Sequence, residues 1–166
     1  MTSPVLVRDL MTVGVPTCAP GTDVEEIAQL FVKNGWEAVI VLDPEERHAL
    51  GVISQSDLVK VYTRGNPSGL HAEDIMQSSI PKIPPDIPLQ AAAQIMQDNG
   101  VRALFLMHHA GGIEYPAAWI TFQHFIRHLA ARDDSELHDL GIYASRASPL
   151  QTFFQRRDQA RRQRKE

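Results

Sequence analysis

Apolar residues recur at i, i+3, i+4 and i+7 in two stretches of the chain: Val24, Ile27, Ala28 and Phe31, then Leu89, Ala92, Ala93 and Met96. This spacing predicts two helices with one apolar face each. Thr22 or Asp23 is the expected cap of the first helix, and Pro88 is expected at the first position of the second. Both stretches stop at Asn-Gly, at residues 34–35 and 99–100. Glycine there suits the left-handed position that follows a helix end. Nearly continuous apolar runs come next, residues 38–42 and 103–107, and predict strands covered on both faces. Returning strands are expected at residues 50–53 and 118–121. The first hairpin turns at residues 43–46 and the second through a longer loop, residues 108–115, with Gly111-Gly112 at its tip. A closing helix follows each strand pair, opened by residues 54–56 in one copy and spanning residues 122–131 in the other.

Upstream of each unit the same tripeptide pattern recurs, Asp9-Leu10-Met11 and Asp74-Ile75-Met76, on what reads as a short helical turn. These matches share a spacing of 65 residues, so one supersecondary unit occurs twice. Such a unit is too short to bury its own apolar faces well. The expected fold is therefore α/β: two pseudo-symmetric βαββα units packed into one module. The repeats are assigned to residues 1–66 and 67–132, joined through the turn-rich run at residues 65–69. Residues 133–166 form a C-terminal helical, basic extension. Within it, Leu137 and Leu140 anchor one expected helix and Ser148-Pro149 starts another.

A chain of 166 residues with 43% apolar and 22% charged residues has an ordinary globular composition. The net charge of −4 is unevenly spread, because six basic residues stand between Arg156 and Lys165 against Asp158. Without an aromatic stacking series or a nucleic-acid motif, these charges read as a solvated helix end rather than a nucleic-acid footprint. Phe153 and Phe154 would anchor that helix on a partner subunit. No run of about 20 apolar residues is present, so no membrane span is expected. The N-terminus lacks a basic start and apolar core, which points to the cytoplasm. Cys18 is the single cysteine, so no intramolecular disulfide and no multi-cysteine metal site can form. The adjacent His108 and His109 point in opposite directions on an extended segment and are not a metal pair.

The order Asp-hydrophobic-Met, extended segment, helix, Asn-Gly, apolar strand and Gly51-Val52-Ile53-Ser54-Gln55-Ser56-Asp57 resembles the CBS (cystathionine-β-synthase-like) domain, which occurs in tandem pairs. The likeness covers roughly residues 4–132. It implies a regulatory, non-catalytic module that binds an adenosine-containing ligand such as AMP, ADP, ATP or S-adenosylmethionine in the cleft between the repeats, with no required cofactor and no metal. It also implies a homodimer formed through helices, which passes a conformational change to a protein partner. Helix faces including Val24/Phe31 and Leu89/Met96 are the expected dimer surfaces. An alternative is a non-binding interaction module with vestigial pockets.

By the same resemblance, Asp57 hydrogen-bonds the ribose hydroxyls. Thr17, Cys18, Ala19, Trp36 and Ala38 lie against the base. Ser54 and Ser56 stand near phosphate, where a strand ending at a helix start offers backbone N–H groups to an anion. Read locally, Ser54 and Asp57 equally well cap the helix. In the second repeat Thr121 matches Ser54, but His124 replaces the acidic residue, and a neutral imidazole cannot accept from two hydroxyls. Arg102 follows Asn99-Gly100-Val101 and could pair with a phosphate. Ala38 and Ala103 replace a proline common in the family. Cys18 reads as a small packed residue, since no histidine partner stands near it in sequence.

Overall fold

A computed structural model describes residues 4–133 and 148–164. The expected helix around Leu137 and Leu140 lies outside the described residues. Two compact units divide the chain, and neither corresponds to a continuous stretch of it. The first unit comprises residues 15–81 and 107–116; the second comprises residues 4–14, 82–106 and the described residues from 117 onward.

The second unit begins with α1 (Val7–Leu10) and β1 (Thr12–Val13). Asp9 explains its place in the repeated tripeptide: its carboxylate accepts the Leu6 backbone N–H at 2.8 Å, closing the start of a single helical turn. Met11 is fully buried.

The first unit holds β2 (Thr17–Cys18), α2 (Val24–Asn34), β3 (Ala38–Leu42), β4 (Ala49–Ser54) and α3 (Gln55–Lys60). A 3₁₀ turn, Val61–Arg64, and the short α4 (Ala72–Ile75) complete it. Asp74 repeats the device of Asp9, accepting the His71 N–H at 2.8 Å. The sheet order is β2-β3-β4, with β2 parallel and β4 antiparallel to β3. Beyond β4, Val52 and Gln77 exchange two backbone hydrogen bonds of 2.8 and 2.9 Å, so the segment after α4 adds itself to the sheet edge. Val24, Ile27 and Phe31 of α2 pack on Val39, Val41 and Ile53, with Ala72 and Ile75 beneath.

The second unit repeats this plan with α5 (Leu89–Asn99), the first half of β5 (Ala103–Ala110), the last half of β6 (Ile113–Thr121) and α6 (Phe122–Ala130), residues 107–116 of the two strands being grouped with the first unit. Its sheet order is β1-β6-β5, and a parallel bridge from Lys82 to Phe105 stands where β2 stands in the first unit. Leu89, Ala92 and Met96 of α5 bury against Leu104, Leu106 and Ile120, together with Val7, Leu10 and Met11. Each unit thus takes its Asp-x-Met turn from the other sequence repeat.

Both Asn-Gly stops hold: Gly35 and Gly100 each take φ +63°, in the left-handed region. Asp23 is the N-cap of α2 as expected, although its side chain makes no cap hydrogen bond. Two local expectations need correction. Pro88 occupies the N-cap rather than the first helical position. The expected loop at residues 108–115 is mostly strand, because Gly111 and Gly112, both at positive φ, turn the chain within two residues.

The expected dimer faces also change. Val24, Phe31, Leu89 and Met96 are all buried inside their own units, because the sheets cover them. Large exposed apolar residues instead include Val59 and Tyr62 after β4 and, 67 residues on, Ile126 and Leu129 of α6. The tail helix α7 (Pro149–Gln163) packs within the second unit: Leu150 and Phe153 lie on its core, and Arg156 donates to the Val13 carbonyl at 3.0 Å. Phe153 is therefore an internal anchor rather than one for a partner subunit.

Gly51 is the glycine of the first unit at which an added side chain would meet a close neighbour. A Cβ there would lie 2.6 Å from the Gln77 carbonyl oxygen and 3.0 Å from Met76 Sδ. Gly51→Ala should therefore push the Gln77 strand off β4 and cost about 1–3 kcal/mol, the usual range for overpacking. Urea denaturation followed by circular dichroism measures this; an unchanged midpoint would mean the edge pairing is not tight.

Candidate functional site

The site is built where β4 gives way to α3. Ser54 ends β4 opposite Ala38, the first residue of β3, and Thr17 pairs alongside at Ile40. Thr17, Ala38 and Ser54 therefore lie at one end of a single sheet. Ser54 is the N-cap of α3 and Asp57 its third residue. Asp57 Oδ2 accepts both the Ser54 backbone N–H and the Ser54 hydroxyl at 2.8 Å, and the Asp57 N–H returns to Ser54 Oγ at 3.4 Å. This is a reciprocal capping box, and it makes the local reading of Ser54 and Asp57 correct.

The carboxylate does more than cap. Its other oxygen, Oδ1, accepts from Gln77 Nε2 at 3.1 Å and lies 3.4 Å from Lys60 Nζ. Asp57 is only 5% exposed, whereas Lys60 is mostly in solvent and Gln77 is exposed. A cavity of about 20 Å³ adjoins the carboxylate, lined by Asp57, Lys60, Val61, Arg64, Ile75 and Gln77. That volume suits a single water and is far too small for a nucleoside. Arg64 on its rim donates to the Asp74 carbonyl at 3.0 Å.

The N-terminal amides of α3 are less open to an anion than the sequence implied. Gln55 N–H donates to the Glu37 carbonyl at 3.2 Å, in addition to the Ser54 and Asp57 amides already engaged. Gln55 Nε2 also holds the Trp36 carbonyl at 2.9 Å, tying the segment before β3 to the helix start. Ser56 is exposed.

The remaining candidates of the first unit fall around this sheet. Thr17 and Ala19 are exposed, Cys18 is half-buried, and Ala38 is buried. Trp36 is half-buried and meets Phe31 edge-on, with ring centroids 6.1 Å apart. Burial, and then the charge of Glu26, push the Cys18 thiol up to about 11. It is thus protonated at neutral pH and a poor nucleophile.

Arg102 and Thr121 belong to the second unit. There Thr121 caps α6, and His124 takes the place of the carboxylate: its Nδ1 accepts the Thr121 backbone N–H at 2.9 Å. Its Nε2 meets Thr12 Oγ1 at 2.8 Å. An imidazole accepts at one nitrogen only when that nitrogen is unprotonated, so this geometry calls for the Nε2–H tautomer, donating to Thr12. Arg102 is exposed and lies over the Phe122 ring, 5.7 Å from its centroid. Trp119 is buried and stacks on Phe105.

Sequence reasoning missed Gln77, Lys60, Arg64 and Thr12. One signal was present: Gln77 follows Asp74-Ile75-Met76 as Thr12 follows Asp9-Leu10-Met11, and each reaches the third residue of the other repeat's closing helix, Asp57 or His124. Among the described residues no cluster of His, Cys, Asp and Glu is arranged to hold a metal ion, and no helix is long and apolar enough to cross a membrane.

The fold is shared with known proteins. An uncharacterized protein of Methanopyrus kandleri, MK0525, is 31% identical over 99 residues, 58% of this chain. The match spans half of that relative's length. Among solved structures, an uncharacterized conserved protein from Pyrococcus horikoshii superposes with TM-score 0.68 at 18% identity, over 81% of this chain and 98% of that one. The CBS domain pair of protein MJ0100, solved in complex with 5′-methylthioadenosine and S-adenosyl-L-methionine, gives TM-score 0.63 at 17% identity, over 76% of this chain and all of that one. The CBS domain pattern itself matches residues 7–64 and 72–131. With both repeats matched over most of its length, the chain belongs to the CBS domain family.

Proposed function

We propose that this chain is a regulatory module that binds an adenosine-containing ligand, of the AMP, ADP, ATP or S-adenosylmethionine class, at the β4–α3 junction of the first unit. The observation that carries this reading is the buried Asp57 carboxylate at the sheet end that also presents Thr17, Ala38 and Ser54. A carboxylate can accept from both hydroxyls of a ribose, which the imidazole of His124 cannot. Trp36, Cys18 and Ala19 would flank the base, and Ser54 and Ser56 would stand near phosphate. The MJ0100 pair, which binds adenosyl compounds, has the same fold and supports this ligand class. Arg102 and Thr121 would serve a weaker second site. Binding would act on a protein partner through differential affinity for two conformations.

The rival reading, an interaction module with vestigial pockets, has an observation in its favour: both Asp57 oxygens already have partners in the chain. Titration separates the two readings. Asp57→Ala should weaken binding of an adenosyl ligand about tenfold to a hundredfold, the range for a lost charged acceptor, and His124→Ala far less. Calorimetry on the wild type and both variants measures it. Equal losses at the two positions, or none at Asp57, would contradict the asymmetric assignment.

A homodimer belongs to the same reading. Tyr62 is 79% and Leu129 86% exposed, at equivalent positions of the two repeats, and Val59 and Ile126 stand one turn before them. Apolar residues repeated at matching exposed positions suit a second copy of the chain. Tyr62→Glu with Leu129→Glu should convert a species of twice 18.5 kDa into a monomer in sedimentation. A wild type that sediments only as monomer would exclude the dimer.

A further inference from the structure

We propose that Gln77 is a gate on the Asp57 site: its side-chain amide occupies the acceptor position that a ribose hydroxyl would take, and ligand entry requires it to swing away. The inference rests on the proposed function and assigns the regulation of that site. A carboxylate offers about four acceptor positions. At Asp57, Ser54 fills two of them through its N–H and hydroxyl, and Gln77 and Lys60 fill the others. The Ser54 bonds are the cap of α3 and persist as long as the helix does. Lys60 lies at 3.4 Å with its side chain 61% exposed, the longer and more solvated contact.

Gln77 is built to move without unfolding anything. Its backbone is clamped to Val52 by two hydrogen bonds, so the strand position is fixed. Its side chain is exposed and has open directions into solvent. Rotation about its side-chain torsions would free Oδ1 and open the small cavity beside it. Gln77 stands two residues beyond α4, so displacement of its side chain changes the contacts beside the Asp74–Met76 turn while the backbone stays paired. The second unit has no such gate on a carboxylate, since Thr12 there engages an imidazole.

The test is calorimetric titration of the full chain with S-adenosylmethionine and, separately, AMP as probes, comparing wild type, Gln77→Ala, Asp57→Ala and the double variant. Gln77→Met, which keeps the length but not the donor, serves as a second variant should Gln77→Ala disturb the sheet edge. Removing the competing donor should tighten binding of at least one probe about three- to tenfold, and the gain should vanish in the double variant. Binding that appears only once Gln77 is replaced supports the gate as well. If the wild type binds, Asp57→Ala weakens binding and both Gln77 variants leave affinity unchanged or lower it, the gate is wrong while the proposed function stands. If neither probe binds any variant, the proposed function fails and the gate with it.

Discussion

The hydrogen bonds on Asp57 are the constraint from which the rest of the first unit is arranged. One oxygen holds the Ser54 cap and so fixes the direction in which α3 leaves the sheet. The other holds Gln77 and so draws in the segment after α4, whose backbone then extends the sheet beyond β4. Burying a carboxylate to 5% exposure is costly unless its charge and lone pairs are met. Here Ser54, Gln77 and Lys60 meet them, and the arrangement is stable only while those donors stay close. A ligand that brings its own donors would replace some of them, and the proposed function gives the carboxylate that second use beside its structural one.

The second unit shows what happens when the charge is removed and the geometry kept. His124 accepts the Thr121 N–H and meets Thr12, so that His124 and Thr12 stand where Asp57 and Gln77 stand in the first unit. An imidazole has one acceptor and one donor, so it can link a cap to the neighbouring strand but has no capacity to spare for two further hydroxyls. The fold tolerates the exchange because capping and sheet-edge pairing need only one acceptor. Recognition of a diol needs more, and this separates the two repeats in chemistry while leaving them alike in shape.

The repeats, the helix faces and the Asn-Gly stops were legible in the sequence because each depends on local periodicity or on one residue's backbone freedom. Gly35 and Gly100 illustrate this, both taking the same left-handed conformation. The exchange of Asp-x-Met turns between units was not legible, since no local signal says which copy of a repeated segment packs on which. That exchange is also why Gln77 and Thr12 escaped notice: they act on residues 20 and 112 positions away. The faces around Phe31 and Met96 are buried within their own units rather than dimer surfaces, and sequence does not distinguish the two, because a periodic apolar face looks the same whether its own sheet or another molecule covers it. The role of Asp57 as a cap was readable from Ser54-x-x-Asp57, whereas the saturation of its second oxygen required three dimensions.

The β4–α3 junction around Asp57, and not its counterpart at His124, is the proposed site for an adenosyl compound. Amide resonances of a ¹⁵N-labelled chain titrated with S-adenosylmethionine and with AMP report on both junctions in one experiment. Shifts are expected at residues 54–57 and at Gln77, with residues 121–124 nearly unmoved. Shifts centred on residues 121–124, or none at either junction with both probes, would contradict it.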